Sequence, residues 1–296
     1  MAMTVKAHAK INWALNILGI LPNGYHELDM LMQFIELHDE MTFHKADMLS
    51  LSVNGGPYEP DERNLVIRAA KALNACAGTE YGAKIDLVKH IPARAGMGGG
   101  SADCAQALIA LNEFWRLRLP MEKLLEIGLS LGADVPFCLT GGLARVSGIG
   151  ENIEPAASAP SIPLAMVTPG GGLPTQDVFK AWDTGNYPIS EHDMFELAEA
   201  VMSRDIKKID ELAFNALEAP AVKMMPEIGE ALSVFRALGA GAVFMTGSGS
   251  TVVAAFETDE QAANAAKQSP AEKAEKEGGP IWHFSTAQSP FYRPWS

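Results

Sequence analysis

Apolar and polar residues alternate near the start of the chain: Ile11, Trp13, Leu15 and Ile17 interleave with Lys10, Asn12, Ala14 and Asn16. A period of two predicts a half-buried strand over residues 7–18, with Lys10 and Asn12 on one face. Further strands are expected over 28–37 and 84–88, and the Asn23-Gly24 pair is a turn signal between the first two apolar runs. Elsewhere the apolar spacing changes to three and four, which predicts helices over 65–77, 102–115 and 122–131. In the second of these, Cys104, Leu108, Leu111 and Trp115 form one stripe. Gly132 follows the third, at the position where glycine ends helices. The Pro/Ala/Ser stretch 154–163 reads as a linker. Beyond it come a strand over 164–167, helices over 191–203, 227–238 and 260–267, and two apolar strand-like runs flanking Gly247-Ser248-Gly249. The Lys/Glu-rich segment 268–279 reads as a solvated helix end or a flexible loop. No internal repeat is evident, and the pattern predicts two α+β domains, residues 1–160 and 161–296.

Length and composition narrow the class. At 296 residues and 48% hydrophobic, the chain can bury a sizeable core. No run approaches the ~20 apolar residues of a membrane span. Lys6, His8 and Lys10 interrupt any secretory leader pattern, so a cytoplasmic protein is expected. The three cysteines, Cys76, Cys104 and Cys138, are widely spaced in apolar surroundings and suit reduced thiols. A net charge of −13 argues against a nucleic-acid partner, whose phosphates the whole-protein field repels. Small anionic ligands remain compatible with it, given local positive charge from Lys10, Lys89, His26, Arg94 and a divalent cation.

The densest chemical signal is Pro92-Ala93-Arg94-Ala95-Gly96-Met97-Gly98-Gly99-Gly100-Ser101-Ala102, glycines set directly before a helical pattern. Gly96, Gly98, Gly99 and Gly100 let the backbone take positive φ and approach a ligand closely. Ser101 is expected to cap the helix, whose first N–H groups favour an anion. Either this is a phosphate cradle or it is a glycine-rich turn joining strand to helix. It is not a Walker loop, because no lysine precedes Ser101. It also lacks the dinucleotide pattern, since Gly96-x-Gly98 continues as Gly99-Gly100. Tyr25 and His26 follow the Asn23-Gly24 turn and either contact a base or pack the hairpin. Asp134 stands on the connector after Gly132, as a reactive carboxylate or as an ordinary turn residue. The Gly247–Gly249 loop either closes over phosphate or simply turns a hairpin.

Taken in order, Ala9-Lys-Ile-Asn12, Asn23-Gly-Tyr-His-Glu27, Pro92 to Asp103, Gly132-Ala-Asp-Val-Pro-Phe137 and Gly247-Ser-Gly-Ser250 resemble the GHMP kinase superfamily. Within it, the Gly-Tyr-His-Glu block is similar to that of the kinases of cytidine diphosphate methylerythritol, in the non-mevalonate isoprenoid route. The resemblance implies a two-domain fold, an N-terminal ribosomal-protein-S5-domain-2-like domain and a C-terminal ferredoxin-like domain, with the active site in the interdomain cleft. It implies ATP and Mg2+ as cofactors, a small-molecule alcohol as substrate, and a monomer or homodimer. The metal ligands stay unassigned. Carried over by position, Lys10 and Asp134 are the catalytic pair and Asn12 orients the acceptor. Tyr25, His26 and Phe179 hold cytosine, and residues 92–102 with Asn64 and Lys89 hold ATP. One departure is Ala102, where the family usually has a second serine. Two alternatives stand beside this reading: another GHMP small-molecule kinase, of mevalonate or homoserine type, and a nucleotide-binding homologue without catalysis.

Overall fold

The computed structural model describes residues 2–54, 63–156, 160–185, 187, 189, 192–268 and 283–287. In chain order the elements are β1 (Ala2–Ile20), β2 (His26–His44), β3 (Leu49–Asn54), α1 (Leu65–Ala77), β4 (Ala83–Val88), α2 (Gly99–Phe114), α3 (Met121–Leu131), α4 (Val135–Thr140), β5 (Leu143–Gly148) and β6 (Asn152–Pro155). They continue as β7 (Leu164–Thr168), α5 (Thr175–Thr184), α6 (Met194–Ser203), α7 (Ile206–Leu212), β8 (Phe214–Asn215), α8 (Glu218–Met224), α9 (Glu227–Ala237), β9 (Ala242–Met245), β10 (Val252–Ala255), α10 (Asp259–Gln268) and β11 (His283–Ala287). Most of the expected 268–279 segment and part of the expected linker lie outside the described residues.

Two compact units emerge, and the chain passes between them more than once. The first comprises Met1–Ala9, Leu37–Ile91 and Gly98–Gly141; the second comprises Lys10–Glu36, Pro92–Met97 and Gly142–Ser296. Residue 160, the border expected from composition, falls within the second. Composition locates flexible connectors, whereas β1 and β2 each run long enough to contribute one end to each unit.

In the first unit, β4 pairs parallel with β3, from Leu49↔Ala83 to Asn54↔Val88, and antiparallel with the end of β2, from Glu40↔Val88 to His44↔Lys84. Helix α1 makes the crossover that a parallel β3–β4 pair requires. It buries Val66, Ile67, Ala69, Ala70 and Leu73, while α2 buries Cys104, Ala105, Ala107, Leu108 and Leu111. These two helices pack against each other, and the small alanines in both buried faces suit close packing. Trp115, expected on the same stripe, is half-buried at the end of α2, where its indole N–H donates to the Gly82 carbonyl at 3.1 Å.

In the second unit, a sheet of order β11-β7-β10-β9 is antiparallel throughout. All five residues of β7 and all four of β9 and of β10 are buried. Continuous apolar runs replace alternation because both faces of such strands are covered. Ile228, Ala231 and Phe235 of α9 and Ala262 and Ala265 of α10 supply buried apolar faces. The start of β2 pairs with β5, β5 with β6, and β8 with β1.

β1 departs from the half-buried expectation. Its supposedly solvated face is buried as well, with Lys10 4%, Asn12 1% and Asn16 1% exposed. A period of two reports the two faces of a strand, not whether the polar face meets water.

Candidate active site

The polar face of β1 is the first component. Lys10 and Asn12 share it as the period required, and the Lys10 ammonium donates to Asn12 Oδ1 at 2.6 Å. Asn12 Nδ2 reaches Met30 Sδ at 3.3 Å, and its backbone N–H donates to Thr246 Oγ1 at 2.8 Å. Nearly every polar atom of Asn12 is therefore oriented. Burying an ammonium costs free energy unless it is hydrogen-bonded, and the Asn12 amide oxygen supplies one such bond.

The glycine loop divides into two jobs. Within the second unit, the Lys10 N–H donates to Met97 O at 3.1 Å and the Thr251 N–H to Ala95 O at 3.3 Å. Gly96 has φ 77°, and a Cβ placed there would lie 2.1 Å from Thr246 O; one on Gly247 would lie 2.5 Å from Gly96 O. Two backbones touch here, and only glycine permits it. The Gly247–Gly249 turn joins β9 to β10, so it is a hairpin that also supports the glycine loop. Its hydroxyls are engaged internally: Ser248 with Thr175 at 2.9 Å, Ser250 to Pro169 O at 2.7 Å, Thr251 with Thr168 at 2.7 Å. Asn215 Nδ2 donates to both Met245 O and Gly247 O at 2.8 Å.

Within the first unit, α2 starts at Gly99 with Gly98 at the N-cap, φ 66°. This corrects the expectation that Ser101 caps the helix. The Ala102 N–H already bonds Gly98 O at 2.9 Å, so Ser101 sits in the first turn. A Cβ on Gly99 would press on Ile91 Cγ2 at 3.0 Å, but one on Gly100 would meet only Leu65 Cδ1, at 3.6 Å, and Gly100 is exposed. Protein packing accounts for Gly96 and Gly99 and leaves Gly100 without a steric reason. The first-turn N–H groups of α2 lack intrahelical acceptors and carry the positive end of its dipole.

Asp134 is half-buried at the N-cap of α4, with φ −83° and ψ −10° and no side-chain cap bond. The connector expected after Gly132 is thus shorter than read, because Pro136 in the first turn of α4 fits a helix start. Asn64 caps α1, its Oδ1 accepting from the Val66 N–H at 2.9 Å. Lys89 follows β4 and is buried between two carboxylates: it donates to Asp39 Oδ2 and, at 2.6 Å, to Asp103 Oδ2. A direct hold on adenine by this ammonium competes with those two bonds.

His26 opens β2, and its Nε2 bonds Asp183 Oδ1 at 2.7 Å. A carboxylate only accepts, so Nε2 carries the proton. The His26 and Phe179 rings are 4.5 Å apart, and Trp182 meets His26 edge-on at 5.8 Å. Tyr25 is 60% exposed beside them in sequence, on a turn where Asn23 Oδ1 accepts its N–H at 3.1 Å. His26 and Phe179 are therefore brought together. Asp183 and Trp182, which sequence reasoning missed, lie four and three residues beyond Phe179 on α5, the spacing that shares a helix face. Asp39 was missed too. It is a buried acid inside an apolar strand, a signal readable only once the strand is known to be interior.

Among the described residues, no group of three or more His, Cys, Asp or Glu side chains is arranged to hold a metal ion. Nor is any described helix long and apolar enough to cross a membrane.

The sequence matches the GHMP kinases N terminal domain over residues 64–142 and the GHMP kinases C terminal domain over residues 197–274. A 4-diphosphocytidyl-2-C-methyl-D-erythritol kinase from Pelotomaculum thermopropionicum is 43% identical over 85% of this chain and 88% of its own length. One from Paramagnetospirillum magneticum is 37% identical over 97% of this chain and 98% of its own. Among solved structures, a 4-(cytidine 5'-diphospho)-2C-methyl-D-erythritol kinase superposes with a TM-score of 0.78 at 33% identity, covering 96% of this chain and 99% of that one. The chain belongs to the GHMP kinase family, with the two-domain α+β fold expected from its motifs. It is an ATP-dependent kinase of a small molecule.

Proposed function

We propose that this enzyme transfers the γ-phosphoryl group of ATP to the 2-hydroxyl of 4-diphosphocytidyl-2-C-methyl-D-erythritol, giving the 2-phosphate and ADP, in the cytosol. The observation that carries the choice of acceptor is the His26–Phe179 ring pair with the exposed Tyr25 adjacent in sequence. Aromatic faces stack on a base at little sequence cost, and the imidazole supplies an edge contact. The relatives' shared name supports the same acceptor.

Phosphoryl transfer asks a protein for position and charge stabilisation more than for covalent chemistry. In this reading Asp134 accepts the hydrogen bond of the acceptor hydroxyl and takes its proton as the oxygen attacks phosphorus. Lys10 offsets charge on the oxygens between donor and acceptor, and Asn12, bonded to it, fixes its direction. The first-turn N–H groups of α2 hold triphosphate oxygens. Mg2+ accompanies ATP, neutralising phosphate charge.

The test is direct: purified enzyme, ATP, Mg2+ and a panel of alcohols comprising the cytidine diphosphate substrate, mevalonate and homoserine, followed by phosphorus NMR. Phosphorylation of the cytidine substrate alone is expected. Turnover of mevalonate or homoserine in preference to it would sink the assignment, as would ATP binding with no transfer to any acceptor.

A further inference from the structure

The cluster of Asp39, Lys89 and Asp103 lies entirely within the first unit. Asp39, fully buried on β2, uses both carboxylate oxygens. Oδ1 accepts the backbone N–H of His90 at 2.5 Å and of Ile91 at 2.9 Å, and Oδ2 accepts from the Lys89 ammonium. The same ammonium donates to Asp103 Oδ2 at 2.6 Å, inside the first two turns of α2. Ile91, fixed by Asp39, is the side chain against which Gly99 rests: a Cβ there would lie 3.0 Å from Ile91 Cγ2 and 3.5 Å from Lys89 Nζ. One buried carboxylate thus orders the segment that enters the glycine loop and, through Ile91 and Lys89, the first turn of the helix beyond it.

We propose that Asp39, Lys89 and Asp103 act as positioning residues for the triphosphate, holding the first-turn N–H groups of α2 at the height and angle that phosphate oxygens require. This rests on the reading of α2 as the ATP site. The cluster has a second consequence. Two carboxylates against one ammonium leave it one negative charge in excess when all are ionised. Burial, with Asp39 nearby, pushes the Asp103 carboxyl up to about 7 against the pull of Lys89. Its Oδ1 has no hydrogen-bond partner among the described residues. A buried oxygen of that kind accommodates a proton, which removes the excess charge beside an anion site.

The experiment measures the dissociation constant of a fluorescent ATP analogue with Mg2+ and, separately, that of cytidine 5'-diphosphate, in wild-type enzyme, Asp39→Ala and Asp103→Asn. Thermal unfolding checks that each variant is folded. Asp39→Ala is expected to weaken the ATP analogue about tenfold, the scale of one charge-assisted hydrogen bond. At pH 8, where Asp103 is ionised, Asp103→Asn, whose amide holds Lys89 more weakly, weakens it less but in the same direction. Cytidine 5'-diphosphate changes less than about twofold in both. If Asp39→Ala does not fold, Asp103→Asn decides alone. Unchanged ATP affinity in the folded variants overturns the proposal, and so does an equal loss for both ligands, which marks general loosening. Wild-type enzyme that binds the ATP analogue but neither binds cytidine 5'-diphosphate nor phosphorylates its alcohol would end the choice of acceptor while leaving this proposal intact.

Discussion

Gly100→Ala separates what the fold needs from what the ligand needs, because it moves stability and activity in opposite directions. The new methyl would meet only Leu65 Cδ1, at 3.6 Å, an ordinary van der Waals distance. Gly100 is the second residue of α2 and has no positive φ, so alanine adopts its backbone without strain. Alanine in place of glycine in a helix is worth about 0.5–1 kcal/mol, at the lower end in a first turn. For a chain of this size that corresponds to a rise in Tm of about 1–3 °C. In the proposed ATP site, the same methyl stands at the end of α2 that phosphate oxygens approach. The expected result is a KM for ATP raised tenfold or more, on the order of 1.4 kcal/mol, with the KM of the alcohol little changed. Differential scanning fluorimetry and steady-state kinetics read the two effects from one preparation. A more stable variant with wild-type KM for ATP would refute the idea that Gly100 is kept for a ligand. A destabilised variant would refute the packing argument instead.

Other outcomes follow from the same geometry. Gly96→Ala, with its Cβ 2.1 Å from a backbone oxygen and φ 77°, is expected to lower Tm by many degrees or to yield little folded protein in expression trials. Lys10→Ala and Asp134→Ala should each remove most of kcat while ATP still binds; near-normal turnover in either ends its catalytic assignment. Tyr25→Ala, at an exposed site, should leave Tm within about a degree and raise the KM of the cytidine substrate by the equivalent of about 1–3 kcal/mol of stacking. An unchanged KM would rule Tyr25 out of base recognition. For Asp103, a folded-state pKa above its unfolded value means the group's favourable contribution is complete below the unfolded pKa and is lost as pH rises through about 7. The Tm of wild-type relative to Asp103→Asn should therefore fall between pH 5 and pH 8. A flat difference would contradict the buried-carboxyl reading.

The sequence was most readable where one face of an element decides its pattern. The stripe of Cys104, Leu108 and Leu111 located α2, and the run 65–77 coincides with α1, because a helix with one buried side advertises its period. Ends were less legible. α6 begins at Met194, later than expected, since Asp193 Oδ1 accepts from the Phe195 and Glu196 N–H groups, and a cap of that kind leaves only one residue of signal. Short elements such as α4, α7 and β8, of six, seven and two residues, escaped because so few residues show no clear period. β8 is two residues paired to Ala14 and Leu15.

Within the candidate site, the legible residues were those inside contiguous motifs, and the illegible ones were those whose partner comes from elsewhere in the chain. Asp39 becomes meaningful only beside Lys89, fifty positions away. Asp183 does so only beside His26, 157 positions away. The glycines make the same point from the other side. A motif search treats Gly96, Gly98, Gly99 and Gly100 alike, yet backbone contact with Thr246 requires Gly96, the left-handed cap requires Gly98, and Ile91 requires Gly99. If packing alone explained the loop, the fourth glycine would be dispensable. The loop therefore carries one residue that the folded chain's packing does not require, in the first turn of α2. On the proposed ATP site, an anion's approach, and not helix stability, is the reason for a glycine at position 100, and the Gly100→Ala kinetics decide it.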